Sequence, residues 1–556
     1  MRHLWPLCAL LCSFWQSSWA AEAASARFGW FQYQGEDAVF AVPLKVGHYR
    51  NPVLAGFFPD PSITRRGDDF YLVNSSFSYL PGLPILHSKD LVNWQLIGHA
   101  LTRPSQFEFA GAGLSRGIYA PTLRYHQGTF YLIGTVVDQG GNFILTATDP
   151  AGPWSDPIWL PEVGGIDPDL FFDEDGKVYI SHNDAPPGEP LYEGHRAIWL
   201  WQFDPVAKKV KPESKRLLVN GGVDIRQQPI WIEGPHLYKH NGWYYLLCAE
   251  GGTADQHSAV IFRSRSLSEP FVPAVQNPIL TQRDLAPDRA SPITTAGHAD
   301  FIQLDDGSWW AVFLAARAYQ QRYSNVGRET YLLPVHWQDG WPQILTQGLA
   351  IPYQLASPAS LKPQPVTVPQ TGNFVWRDEF ASTVLDLNWN WLRQFDQSWL
   401  QLKDGALHLR AKADRLESSG QPAFIGRRLQ HLNFTASTAL QLPSAGQSAG
   451  LVLLQNELHH YYIGARRTAS GAEVFLEQAK GAKATQLLAE QLPAGPQELQ
   501  LKVTGAGAEL SFYYQLPGQG WQAFGPVQDG TVLSTQVAGG FVGSTLGLYS
   551  RLEDKP

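Results

Sequence analysis

The sequence predicts an all-β protein of two parts, a five-bladed β-propeller followed by a jelly-roll-type β-sandwich. Three observations predict it. A hairpin pattern recurs five times in the first two-thirds of the chain. A Pro-rich stretch, ASPASLKPQPVTVPQTG at 356–372, then interrupts the pattern. Beyond it, short and partly alternating apolar segments separated by Gly, Ala and Ser run toward the end. At 556 residues the chain is too long for one ordinary core. Its 44% hydrophobic and 17% charged residues mark it as globular rather than disordered.

The first element is a targeting segment, MRHLWPLCALLCSFWQSSWAAEA. Arg2 and His3 make a short positive start, and Leu4 to Trp15 form an apolar stretch too short to span a membrane. Small residues at Ser18 and Ala20 predict cleavage after Ala20, so residues 1–20 are expected to be a signal peptide. A lipid anchor at Cys12 is the weaker alternative, because Leu11 precedes it where a small residue is expected. Cleavage removes Cys8 and Cys12, leaves Cys248 and rules out an internal disulfide. Cys248, in YYLLCAE, reads as a buried and inert thiol on a strand. The expected location is periplasmic or extracellular.

The propeller is expected over residues 45–355. Its five hairpins are DPSITRRGDDFYLVNSS, APTLRYHQGTFYLIGT, DPDLFFDEDGKVYISHN, GPHLYKHNGWYYLLCAE and HADFIQLDDGSWWAVFL. Their turn glycines are Gly67, Gly128, Gly176, Gly242 and Gly307, at intervals of 61, 48, 66 and 65 residues. Each interval has room for two further strands, which makes a four-stranded blade. A large two-sheet sandwich would not need the same hairpin five times. Residues 356–372 read as an extended linker, and 373–556 as the sandwich. Trp389, Trp391 and Trp399 in the sandwich suit either a packed core or a sugar-binding surface.

The repeat also aligns a set of polar residues. The first apolar residues of the five hairpins are Ile63, Leu123, Leu170, Leu237 and Phe301. Three positions earlier stand Asp60, Ala120, Asp167, Gly234 and His298; four positions earlier, Tyr119 and Glu233 appear. Innermost propeller strands line a central channel, so equivalent strand starts converge at one mouth of it. Singly, Asp60 and Asp167 read as turn caps before proline. Together with Glu233 they read as three acids around one site, an arrangement that shifts pKa values and suits glycoside hydrolysis. His298 reads as a metal ligand in the channel or as a neutral hydrogen-bonding partner. No zinc-protease motif, cysteine pair or nucleophile elbow competes.

These motifs resemble glycoside hydrolase family 43, the five-bladed β-xylosidases and α-L-arabinofuranosidases with a C-terminal β-sandwich. The resemblance is carried by NPVLAGFFPDPSI, LHSKDLVNW, GGIDPDLFFDEDG, IEGPHLYKHNGWYYLLCAEGGT, TAGHADFI and VGRETYLLPVHWQDGWP. It implies Asp60 as general base, Asp167 as the acid that tunes and orients, and Glu233 as general acid in an inverting mechanism. It implies that Arg328 contacts sugar hydroxyls, against the plainer reading of a surface ion pair with Glu329. Phe77 matches an aromatic that walls the first subsite, and Tyr119 stands where many members have Trp. His298 matches a histidine that faces a channel ion such as calcium in some members; a structural ion in the sandwich is the other place for one, and no cofactor is required. In the family the sandwich packs on the propeller and lends a loop to the rim of the site. The expected activity is exo-acting release of xylose or arabinose from hemicellulose oligosaccharides. The rival is a non-catalytic glycan-binding propeller, which retention of all three acids disfavours. Net charge of −8 without a basic stripe argues against nucleic acid and anionic membrane as partners.

Overall fold

The computed structural model describes residues 25–554. The expected cleavage at Ala20, and Cys8 and Cys12, lie outside the described residues.

Five antiparallel sheets follow one another along the chain. The first contains Ser62–Arg66, Asp69–Val73, Gly82–Ser88 and Gln95–Leu101. The second contains Gly117–His126, Thr129–Val137, Gly141–Ala147 and Ile158–Trp159. The third runs from Ile166–Phe172 through Val178–Asp184 to Ala197–Asp204, with two short strands on its outer edge. The fourth runs likewise from Glu233–His240 through Trp243–Glu250 to Ser258–Ser264. The fifth contains Ile293–Gln303, Trp309–Arg317, Glu329–Gln338 and Trp341–Gln343. Each hairpin turns at its glycine with positive φ: 60° at Gly67, 86° at Gly128, 81° at Gly176, 74° at Gly242 and 84° at Gly307. A Cβ at any of the five would have open space or only a distant side chain beside it, so backbone conformation rather than packing demands the glycine.

Apolar residues on both faces of each blade pack against the neighbouring blades. Ile63, Leu72 and Leu86 of the first meet Trp310, Val312 and Leu332 of the fifth. Tyr245, Leu247 and Ile261 of the fourth meet Phe301, Phe313 and Tyr331 of the fifth from the other side. The ring closes without strand exchange. His48–Arg50 pairs with Gln354–Ala356, and the Tyr49 hydroxyl and the Asn51 side chain both donate to the Leu332 carbonyl. Cys248 is buried and unpaired between the third and fourth blades.

The sandwich has a nine-stranded and a six-stranded sheet, and it does not begin after the propeller. Ser25–Gly35, a segment the sequence reading assigned to neither domain, lies between Ala406–Arg410 and Asn433–Gln441 in the nine-stranded sheet. Its alternation buries Ala26, Phe28, Phe31 and Tyr33, with the phase break absorbed by a register shift between Phe28 and Trp30. From Ser25 on, the described chain therefore runs through the sandwich, builds the propeller and returns to the sandwich. Residues 357–374 hold no strand or helix but are tied down: Gln364 N–H donates to Asp90 (2.8 Å) and the Thr371 hydroxyl to the Pro52 carbonyl (2.6 Å). Trp389, Trp391 and Trp399 point into the core, at 1%, 5% and 1% exposure, so none of them forms a sugar-stacking surface.

The two units share an extensive interface. Arg317 of the fifth blade is buried between Glu329 and Asp37 and also donates to the Gln430 carbonyl in the sandwich. Arg428 donates to the Phe57 carbonyl at 2.7 Å, and Tyr79–Leu80 pairs with Trp391–Leu392. Such an interface holds the sandwich at a fixed place beside the channel mouth.

Candidate active site

The ring of aligned residues forms through a backbone device repeated in every blade. Asp60, Ala120, Asp167, Gly234 and His298 all take positive φ: 51°, 22°, 55°, 55° and 49°. In four of them proline follows, at Pro61, Pro121, Pro168 and Pro235. Proline lacks the N–H that a strand ladder needs, so pairing skips there. Register shifts lie at three of these prolines, Tyr119/Thr122, Ile166/Asp169 and Glu233/His236, and the fifth blade has one at Gly297/Asp300 without a proline. A bulge re-aims the side chain beside it. Positive φ at a non-glycine residue is uncommon, and four instances at equivalent positions around one pocket mark it as a functional site.

Asp60, Asp167 and Glu233 line one cavity of about 480 Å³ together with Phe77, Tyr119, His298 and Arg328. Every residue the sequence named for the site is therefore in its wall. All three acids are buried, at 6%, 6% and 7% exposure. Their surroundings push them apart electrostatically. Burial raises Asp60, but Arg328, His298 and the Ser75 hydroxyl outweigh it and leave the carboxyl below its ordinary 3.8. Arg328 donates to one oxygen of Asp60 at 3.0 Å and Ser75 to the other at 2.6 Å. Burial and the Asp60 charge raise Asp167 to about 7, although Gly234 N–H donates to it at 3.1 Å. Burial, then the charges of Asp167 and Asp60, raise Glu233 well above 4.5. The site thus sets a carboxyl held low, Asp60, against one pushed well up, Glu233.

This distribution has a stability consequence. A carboxyl raised by the fold stabilises the protein below its unfolded pKa, and that contribution is lost as pH rises toward the folded value. Glu233→Gln removes the group. The variant is expected to melt above the parent by a margin that widens as pH rises above the ordinary carboxyl range. Thermal melts of the two proteins across that rise measure the margin; a constant or shrinking difference would contradict the raised Glu233.

Arg328 is not paired with its neighbour Glu329, which is fully buried and bonded to Arg317. Its guanidinium instead bridges Asp60 and the Phe541 carbonyl, at 3.0 and 3.3 Å. Phe541 comes from the sandwich and stacks on Phe77 at 6.2 Å between ring centroids. Phe77 stacks in turn on Phe57 at 5.7 Å, and Tyr119 meets both Phe77 and Phe541 edge-on. The Tyr119 hydroxyl donates to the Ser115 carbonyl at 2.8 Å, which fixes the ring. The opposite wall is Ile230, Trp231 and the loop Gly251–Gly252–Thr253–Ala254. Trp231 is 36% exposed, with the Arg196 guanidinium 4.6 Å from its ring center. His298 lies in the wall near Gly234, and burial lowers it to about 4, so it is neutral. Among the described residues no cluster of three or more His, Cys, Asp or Glu is arranged to hold a metal ion.

The arrangement matches a known profile. That of "Glycosyl hydrolases family 43" covers residues 49–342, and that of "Beta xylosidase C-terminal Concanavalin A-like domain" covers 377–555. The chain belongs to glycosyl hydrolase family 43. It is 38% identical over 515 residues to the "Xylosidase/arabinosidase" of Butyrivibrio fibrisolvens, covering 91% of this chain and 96% of that one. It is 37% identical over 525 residues to the "Non-reducing end alpha-L-arabinofuranosidase BoGH43B" of Bacteroides ovatus, covering 92% of each. Among solved structures it is similar to a GH43_12 protein from a capybara gut metagenome, with a TM-score of 0.89 and 38% identity over 95% of this chain and all of that one. It is also similar to the xylan beta-1,4-xylosidase of Bacillus halodurans, with a TM-score of 0.80 and 32% identity over 90% and 96%. Family 43 membership makes this chain a glycosidase.

Several wall residues of this family 43 site escaped the sequence reading. His257 and Arg116 sit on loops without a shared position in the repeat, and Ser75, outside the lining, reaches the site only through its bond to Asp60. Trp231 lies two residues before Glu233 and could have been found by its exposure-prone Pro-Ile-Trp context. Phe541 could not: it stands in a Gly-rich loop with no pattern of its own, and only domain packing brings it to Asp60.

Proposed function

We propose that this family 43 glycosidase is an exo-acting, inverting enzyme that releases xylose, arabinose or both from the non-reducing ends of hemicellulose oligosaccharides. The observation that carries the mechanism is the opposite displacement of two carboxyls facing one pocket. Asp60, held ionised, activates water as general base. Glu233, whose carboxyl burial and the neighbouring charges push well up, donates to the leaving oxygen as general acid. Asp167, raised to about 7, orients and tunes Glu233. The printed activities of the relatives, a xylosidase/arabinosidase and a non-reducing-end arabinofuranosidase, support the two sugar classes. A walled cavity of about 480 Å³ supports exo action, since an endo-acting groove must be open at both ends. The reaction needs no cofactor, and secretion through the N-terminal segment would bring the enzyme to its polymer-derived substrates.

Proton NMR of the first-formed sugar tests the mechanism. An inverted anomer is expected with xylobiose or an arabino-oligosaccharide; a retained one would remove Asp60 from the base role. A panel of 4-nitrophenyl β-D-xylopyranoside, α-L-arabinofuranoside and β-D-glucopyranoside tests the substrate class, with the glucoside expected to be the poorest.

Arg328 gives a separate expectation. Its guanidinium holds Asp60 and faces the cavity, so it is placed to bind sugar hydroxyls. Arg328→Ala is expected to lower kcat/KM by roughly 10²-fold. It should also move the acidic limb of the pH profile upward, because Asp60 loses a neighbour that lowers its pKa. Near-parental activity with an unmoved limb would count against both roles.

A further inference from the structure

One layer below the acids, the residues just before the aligned apolar positions form a second ring: Ser62, Thr122, Asp169, His236 and Asp300. All five are buried. The Arg124 guanidinium lies among them and touches the innermost strand of every blade. Nη1 donates to Asp300 at 2.8 Å and to the Ile63 carbonyl at 3.3 Å. Nη2 donates to Asp169 at 2.9 Å and lies 3.1 Å from His236 Nδ1. Arg124 itself is on the second blade, so all five strands meet on one cation. Ser62 and Tyr238 donate to the two oxygens of Asp300, at 2.7 and 2.5 Å. Burial alone would raise Asp300, and Arg124 reverses this, holding the carboxyl well below the usual range.

We propose that Arg124 is the cation of this channel, in place of a divalent metal ion, and that it positions the acids above it. Two buried carboxylates on the axis of a propeller need a counter-charge. Here a side chain supplies it, with its nitrogens on the oxygens a metal would take. Within this ring the atoms left without a protein partner are Asp169 Oδ1 and His236 Nε2; in the cavity wall above, His257 Nε2 is another. One oxygen and one nitrogen do not make a site for calcium, which takes about six to eight oxygen ligands. A second cation beside His298, whose ring center is 6.5 Å from that of His236, would also face the Arg124 charge. Asp167 is two residues from Asp169, Asp60 two from Ser62 and His298 two from Asp300. A shift of the lower ring therefore moves the upper one. The positioning role rests on the proposed reading of the acids; the metal-free channel does not.

The test has two arms. In the first, the full chain is dialysed against EDTA, and metal content and melting temperature are measured before and after adding calcium. Metal well below one ion per chain and an unchanged melting temperature are expected. A stoichiometric ion, or a melting temperature that rises and saturates with calcium, would overturn the metal-free channel. In the second arm, Arg124→Met is expected to lower kcat with a smaller change in KM and to displace the pH profile. Arg124→Lys should recover part of both. Should Arg124→Met fail to fold, Arg124→Lys and Asp169→Asn carry the same readouts. Folded variants with parental kcat and pH profile would overturn the positioning role while leaving the first arm's result standing.

Discussion

On xylobiose, Glu233→Gln is expected to lose about 10³-fold or more in kcat, while a dinitrophenyl glycoside retains much of its rate. The sugar alkoxide that leaves xylobiose is strongly basic and needs a proton as the bond breaks. A dinitrophenolate is a weak base and leaves nearly unaided. Glutamine keeps the shape of the side chain but carries no titratable proton. Asp60→Asn should behave differently, since water must be activated whatever the leaving group, and both substrates should fall alike. The pH profile supplies a second readout. Glu233 is raised by burial and by Asp167 and Asp60, so its deprotonation sets the alkaline limb. Asp60 is held low, so its protonation sets the acidic limb. The Glu233 variant should lose the alkaline limb and keep the acidic one. Equal losses on both substrates in a folded Glu233→Gln protein would show that this glutamate is not the proton donor.

Deleting residues 373–556 is expected to abolish soluble expression rather than merely weaken binding. The deletion strips all three partner strands from Ser25–Gly35, leaving a strand with buried aromatic residues and bare edges. It also opens the buried cluster of Arg317, Asp37 and Glu329 by removing Gln430 beside it. Phe541→Ala separates this structural role from the catalytic one. It leaves the interface in place but removes a ring that stacks on Phe77 and lies 5.7 Å from the Arg328 guanidinium. About ten- to hundredfold loss in kcat/KM on a small aryl glycoside is expected, with a folded protein. A soluble truncated propeller with full kcat/KM would show that the sandwich does not shape the site.

Much of the site was legible in the chain because its geometry is repeated. Asp60, Asp167 and His298 share one offset from the aligned apolar residue, and Glu233 sits one residue earlier in its blade. A five-fold architecture turns equal offsets into equal heights along a channel, so register alone brought these residues together. The same logic reached Arg328 only through motif resemblance, and its partner was decided by packing: Glu329 turned inward to Arg317, freeing Arg328 for Asp60.

The sequence by itself determined the local and periodic features: the hairpins, their turn glycines, the prolines at the start of four of the five inner strands, and the alternation that buries one face. These depend on residues within a few positions of one another. The tertiary structure decided what depends on distant partners. It placed Ser25–Gly35 in a sheet completed by strands beyond residue 400, and it brought Phe541 to Phe77. It also set Arg124 between Asp169 and Asp300. Strand edges and buried charges accept any complementary partner within reach, and only the closed ring and the docked sandwich select which one arrives.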